Sequence, residues 1–184
     1  MDAFFETYWP STVTWDAYLD AVEEKADLWR SYAKRAKLHD DERARLEHLP
    51  GARRILVLAE DWCGDAIRSL PTLAAMADAT PDVELRVLRS DEFPDAIGEH
   101  LTHGGRGIPI AVVVDEVGDV LGTWGPRPAP LQAMMRAKLR AEGSPTEETK
   151  GEFYAPIMAW YAKDGGRTVA QEMLMLLERG GEPR

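Results

Sequence analysis

Residues 54–66 read Arg54-Ile55-Leu56-Val57-Leu58-Ala59-Glu60-Asp61-Trp62-Cys63-Gly64-Asp65-Ala66. The opening run is almost continuously apolar, which predicts a short strand buried on both faces. From Cys63 to Ala77 the period changes, and Ile67, Leu70, Leu73, Ala74 and Ala77 fall on one side of a helix. A buried strand thus runs directly into a helix, with Cys63 at or next to the helix N-terminus. Free amide N–H groups and the helix dipole at that place favour an anionic sulfur, against a free thiol pKa of about 8.5. In open α/β sheets, ligands also gather at the C-terminal ends of strands.

Working outward, Val83–Leu88 alternates and predicts a second strand, and a helix over 91–103 stops at Gly104-Gly105. Residues Pro109–Val114 give a third strand. The turn Asp115-Glu116-Val117-Gly118-Asp119 leads into a fourth, Val120–Trp124, as a hairpin. A helix over 129–141 closes a β-α-β-α-β-β-α unit, α/β in class, with a parallel portion and an antiparallel edge. Before it, Trp15, Tyr18, Leu19, Val22, Ala26, Trp29 and Ala33 form one apolar stripe. The stripe predicts a single amphipathic helix over 14–37, with Thr14 as N-cap and Asp16 in the first turn, followed by a polar helix near 40–48. After the unit, helices over 147–163 and 167–179 are hinged at Asp164-Gly165-Gly166, with Trp160, Met173, Leu174 and Leu177 turned to the body. The organisation is an N-terminal helical extension (1–49), a core (50–142) and a C-terminal helical extension (143–184), packed as one globular unit.

The chain has 184 residues, is 45% hydrophobic, and carries 22 Lys+Arg against 32 Asp+Glu, a net charge of −10. A core is affordable, and phosphate backbones and anionic lipid surfaces are repelled, which excludes nucleic acid and membrane partners. No secretory signal or run of about 18 apolar residues is evident, so a cytoplasmic protein is expected. The one cysteine, Cys63, cannot close an intrachain disulfide or build a thiolate-rich zinc site. The histidines, His39, His48, His100 and His103, form no obvious ligand pair, so no metal is expected. The glycine-rich Gly104-Gly105-Arg106-Gly107 precedes a strand rather than a helix and makes a poor phosphate loop.

At this point the sequence resembles the thioredoxin superfamily. Trp62-Cys63-Gly64 is similar to the front of the active-site motif, and Pro71 falls where thioredoxins carry a kinking proline. Gly107-Ile108-Pro109, opening a strand 46 residues after Cys63, is similar to the cis-proline loop. Gly125, 16 residues later, is similar to a groove-lining glycine. The closer likeness is to bacterial thioredoxin-family proteins with Trp-Cys-Gly-Asp-Ala and Trp-Gly-Pro-Arg-Pro segments. The resemblance implies a thioredoxin-like three-layer fold with a mixed central sheet. It implies Cys63 as the catalytic nucleophile on a disulfide, with Trp62, Gly64, Asp65, Ile108, Pro109, Trp124 and Gly125 as substrate-binding residues.

The departures shape the expected function. Ala66 stands where the family's resolving cysteine would be, so an external thiol must release any mixed disulfide. Val57 occupies the place of a buried acid. Glu60, Asp61 and Asp65 crowd the sulfur with negative charge, against the helix terminus and, weakly, Arg68; the sign of the thiol shift stays open. Two functions follow. One is a monothiol thiol–disulfide oxidoreductase acting on protein or small-molecule mixed disulfides, with no bound cofactor and a low-molecular-weight thiol as co-substrate, whose carboxylate Arg127 could bind. The other is a non-catalytic module that holds a peptide or partner protein in a groove around Trp62, Pro109 and Trp124.

Overall fold

The computed structural model describes residues 2–100 and 105–180. Its sheet has the strands β1 (Val13–Thr14), β2 (Arg53–Ala59), β3 (Val83–Arg89), β4 (Ile110–Val114) and β5 (Val120–Trp124), in the spatial order β1-β3-β2-β4-β5. β2 and β3 are parallel; the pairs β1–β3, β2–β4 and β4–β5 are antiparallel. The helices are α1 (Ala3–Tyr8), α2 (Trp15–Asp20), α3 (Ala26–Arg35), α4 (Asp40–Leu46), α5 (Gly64–Asp78), α6 (Pro94–Gly98), α7 (Ala129–Glu142), α8 (Lys150–Asp164) and α9 (Arg167–Leu177). This is a mixed sheet flanked by helices, a thioredoxin-like fold with helical extensions.

β2 lies inside the sheet between β3 and β4, and Ile55–Ala59, whose side chains alternate between the two faces, is fully buried, so both faces are covered. That is why its sequence is apolar without alternation. α5 continues helical through Pro71. The helix expected over 91–103 is shorter, α6, and its end, with Leu101, Thr102, His103 and Gly104, lies outside the described residues.

The single helix expected over 14–37 is instead two. Thr14 caps α2 as its side chain accepts from the Ala17 amide, a cap worth about 1 kcal/mol. The chain then leaves the helix at 21–25, and Lys25 takes a left-handed φ of 56°. The amides that a continuous helix would have turned back four residues are taken by Asp61, whose Oδ2 accepts from Glu23 N (3.0 Å) and Glu24 N (3.3 Å). The apolar stripe survives the break, because Tyr18, Val22 and Trp29 are all buried on the core. The segment 1–49 is also not purely helical, since β1 adds an edge strand, Val13 opposite Val87 and Thr14 opposite Arg86.

At the other end, α9 buries Met173, Leu174 and Leu177 in the main core. α7 and α8 form a second apolar cluster from Leu131, Met135, Phe153, Ile157 and Tyr161. Trp160, expected on the body, packs half-buried on that second cluster.

Candidate functional site

Cys63 is the N-cap of α5, and its carbonyl accepts the first helical bond, from Ile67 N at 3.1 Å. Its residue is only 6% exposed, and the thiol donates to the Ile108 carbonyl at 3.4 Å. Burial pushes the Cys63 thiol above its ordinary range. The amides of Ala66 and Asp65 pull it down, the Asp65 charge pushes it up, and Arg127 pulls it down. The helix start acts as its position dictates, yet burial outweighs it.

The acidic crowd around the sulfur is largely otherwise engaged. Glu60 accepts from Asp91 N at 2.6 Å and Ser90 Oγ at 3.2 Å, while burial pushes its carboxyl up. Asp61 is held by the 21–25 turn, with Arg89 3.9 Å away, and its carbonyl accepts from Trp29 Nε1 at 2.8 Å. Asp65 is the acid that reaches the site. It pairs with Arg127 at 2.5 Å and accepts from Tyr161 Oη at 3.0 Å. Burial pushes the Asp65 carboxyl up against the pull of Arg127.

Two proline loops cross beside the sulfur, and the Ile108–Pro109 and Gly125–Pro126 peptides are both cis. Gly125, at φ +120°, passes so close to Pro109 that a Cβ would lie 2.1 Å from its carbonyl oxygen. A Cβ on Gly107 would lie 2.9 Å from Pro126 Cγ. Each loop therefore carries a glycine where it meets the other loop's proline.

A cavity of about 540 Å³ opens over Cys63. Of the residues singled out from sequence, Trp62, Cys63, Gly64, Asp65 and Ile108 line it. Trp62 is 44% exposed and donates from Nε1 to Asp91 at 3.1 Å. Pro109 and Gly125 lie behind, shaping the Ile108 loop. Trp124 does not line the cavity: it is buried against α9 and donates to Glu172 Oε2 at 2.7 Å. Ala66 is fully buried, so the resolving position holds an inert methyl. Val57 is likewise fully buried, in register with Ala111.

Sequence reasoning missed the side walls. Lys25 and Leu28 close the cavity from the 21–25 turn and α3; Lys150, Tyr154 and Met158 close it from α8. The α8 trio stands at successive four-residue spacings, which was the available signal for one shared face. Arg106 from the loop before Ile108 also lines the cavity, as do Arg68 and Arg127. These cations suit an anion. Among the described residues no group of three His, Cys, Asp or Glu is placed to hold a metal ion, and no helix is long and apolar enough to cross a membrane.

The mixed sheet, the cysteine that caps the helix after its central strand, and the facing proline loop define a thioredoxin-like protein. The chain belongs to the thioredoxin family: a thioredoxin family model matches residues 12–143, which takes in β1 and the N-terminal helices after α1. No curated protein matches the chain. Among solved structures, the chain is similar to a protein of unknown function from Pseudomonas aeruginosa, at 19% identity and a TM-score of 0.74, over 97% of this chain and 98% of that one. It is also similar to an HIV epitope-scaffold, at 19% identity and a TM-score of 0.62, over 92% of this chain and 100% of that one.

Proposed function

We propose that the protein is a monothiol thiol–disulfide oxidoreductase working through Cys63. The observation that carries this reading is the placement of the one thiol, at the start of α5 against the Ile108 carbonyl, in the wall of a cavity. The Cys63 thiolate attacks one sulfur of a disulfide R–S–S–R′, forming Cys63–S–S–R and releasing R′S⁻. With alanine at 66, no internal thiol completes the exchange. A small external thiol, of the kind a reducing cytoplasm supplies, attacks the Cys63 mixed disulfide, carries off R and returns Cys63 as thiolate. Electrons balance between incoming and outgoing thiols, and no bound cofactor takes part.

Because burial favours the neutral thiol, exchange by the free protein is expected to be slow at neutral pH and to accelerate past pH 9. The test is mixed-disulfide formation on Cys63 with a small disulfide, followed by intact mass, with Cys63→Ser as control. Adduct formation on the wild type, and none on the variant, supports the reading. A wild type no faster than a free thiol of matched ionisation overturns it.

The same burial supports a second reading, a non-catalytic module whose cavity binds its ligand without sulfur chemistry. That reading predicts equal ligand affinity for wild type and Cys63→Ser, and no exchange above the free-thiol rate.

A further inference from the structure

The cavity over Cys63 has a charge opposite to that of the molecule. The chain as a whole carries −10. The cavity is lined by Lys25, Arg68, Arg106, Arg127 and Lys150 against one acid, Asp65. Asp65 is spent on Arg127 at 2.5 Å, and Lys150 has Glu147 at 3.1 Å. The remaining three cations have no carboxylate within ion-pair distance among the described residues, although the Arg68 charge still acts on Asp65 and its guanidinium lies 5.4 Å from the centre of the Tyr32 ring. Lys25 donates to the Trp62 carbonyl, and Arg68 donates to the Gly64 carbonyl at 2.8 Å. Both thereby bring their charge to the residues on either side of Cys63. Arg106 adjoins the Ile108 loop on the facing wall. Two further donors are buried with no partner among the described residues, Arg68 Nε and Arg127 Nε. Buried donors of that kind normally have partners.

The shape limits the size of the occupant. The turn at 21–25 and the face of α8 wall the space on two sides, and about 540 Å³ is the volume of a small-molecule site. We infer that this cavity takes a small anionic disulfide, a molecule with carboxylates or equivalent acids on the groups flanking its sulfurs, and that Lys25, Arg68 and Arg106 set this specificity. The inference rests on the Cys63 exchange reading and names its substrate class. In the step itself the Cys63 thiolate displaces one anionic thiolate from the disulfide and keeps the other as a mixed disulfide. A second anionic thiol then attacks the sulfur of that half, forms a new disulfide with it and returns Cys63 as thiolate, so no further oxidant or reductant enters.

The experiment uses three disulfides of matched length: 3,3′-dithiodipropionate (a dianion), bis(2-hydroxyethyl) disulfide (neutral) and cystamine (a dication). The rate of Cys63 adduct formation is measured for each at low salt, divided by the rate of a neutral free thiol with the same disulfide. Binding of the dianion to Cys63→Ser is measured by calorimetry. The expected order is dianion, neutral, dication, with roughly tenfold or more between the ends, as a locally focused field gives. Added salt, and Lys25→Gln with Arg106→Gln, should both shrink the dianion-to-neutral ratio. Equal normalised rates for all three disulfides would overturn the anion specificity while leaving Cys63 exchange standing. Reaction with none of them, together with dianion binding by Cys63→Ser, would overturn the exchange reading and leave an anion-binding cavity. Neither reaction nor binding would overturn both.

Discussion

Replacing Arg127 by Met removes a guanidinium while keeping an unbranched stem, and it leaves the Asp65 carboxylate buried with Tyr161 Oη as its remaining side-chain partner. Asp65 is only 7% exposed. Breaking a buried pair by deleting one partner costs about 3–5 kcal/mol. Arg127 keeps some solvent contact, with its side chain 17% exposed, which puts the expectation near the lower end, about 3 kcal/mol at pH 8. For a chain of this length that is a fall in Tm of roughly 6–12 °C. The loss should depend on pH in a defined direction. Without Arg127 the folded-state pKa of Asp65 rises further above its unfolded value. A carboxyl raised in this way favours folding while protonated, and that contribution is lost as pH climbs through the folded value. The variant should therefore lie closer to wild type at pH 5 than at pH 8. Urea unfolding at both pH values measures this, and Asp65→Asn combined with Arg127→Met should recover at least half of the loss at pH 8. A single variant within about 0.5 kcal/mol of wild type at both pH values, or a double variant no better than the single, would refute the buried-pair argument.

The raised Cys63 thiol is itself a stability statement: wild type should lose stability relative to Cys63→Ala as the pH passes about 9, because the unfolded thiol ionises first, and a pH-independent difference would contradict it. Gly125→Ala should cost about 3 kcal/mol or more in thermal unfolding, since its Cβ would meet the Pro109 carbonyl at 2.1 Å from a positive-φ backbone; Gly107→Ala, which meets the Pro126 ring at 2.9 Å, should cost less, and the reverse order would count against the crossed-loop geometry. Trp124→Phe removes a bond to the Glu172 carboxylate and should cost about 1–2 kcal/mol while leaving the alkylation rate of Cys63 unchanged; a changed rate would place Trp124 at the cavity after all.

The core strands and α5 were legible because local pattern and tertiary environment agree there: β2 is apolar throughout since it is covered on both faces, and α5 starts where Cys63 caps it. The misreadings come from places where a distant group decides a local conformation. Periodicity gave Tyr18, Val22 and Trp29 correctly as one buried stripe. It could not show the break at 21–25, because the acceptor that takes the Glu23 and Glu24 amides is Asp61, far along the chain. β1 escaped because two residues are too short for a period, and Val13–Thr14 becomes a strand only when β3 offers an edge.

The candidate site follows the same rule, with a consequence for its chemistry. In sequence, Glu60, Asp61 and Asp65 make the surroundings of Cys63 look negative. In the fold, Glu60 turns to Ser90 and Asp91, Asp61 to the 21–25 turn, and Asp65 to Arg127. Acids adjacent to Cys63 in sequence are thus engaged by partners remote from it, amide and hydroxyl donors at Glu60 and Asp61 and a guanidinium at Asp65. What remains facing the cavity is cationic and comes from segments far apart in the chain: Lys25 from before the sheet, Arg68 on α5, Arg106 ahead of β4. Asp61 links the two effects. By capturing the amides of Glu23 and Glu24 it ends the helical run where Lys25 follows, and Lys25 then reaches the carbonyl of Trp62. An acid that lies next to the sulfur in sequence serves instead to hold Lys25 at the Trp62 carbonyl, so the charge of the motif does not by itself give the charge that lines the cavity.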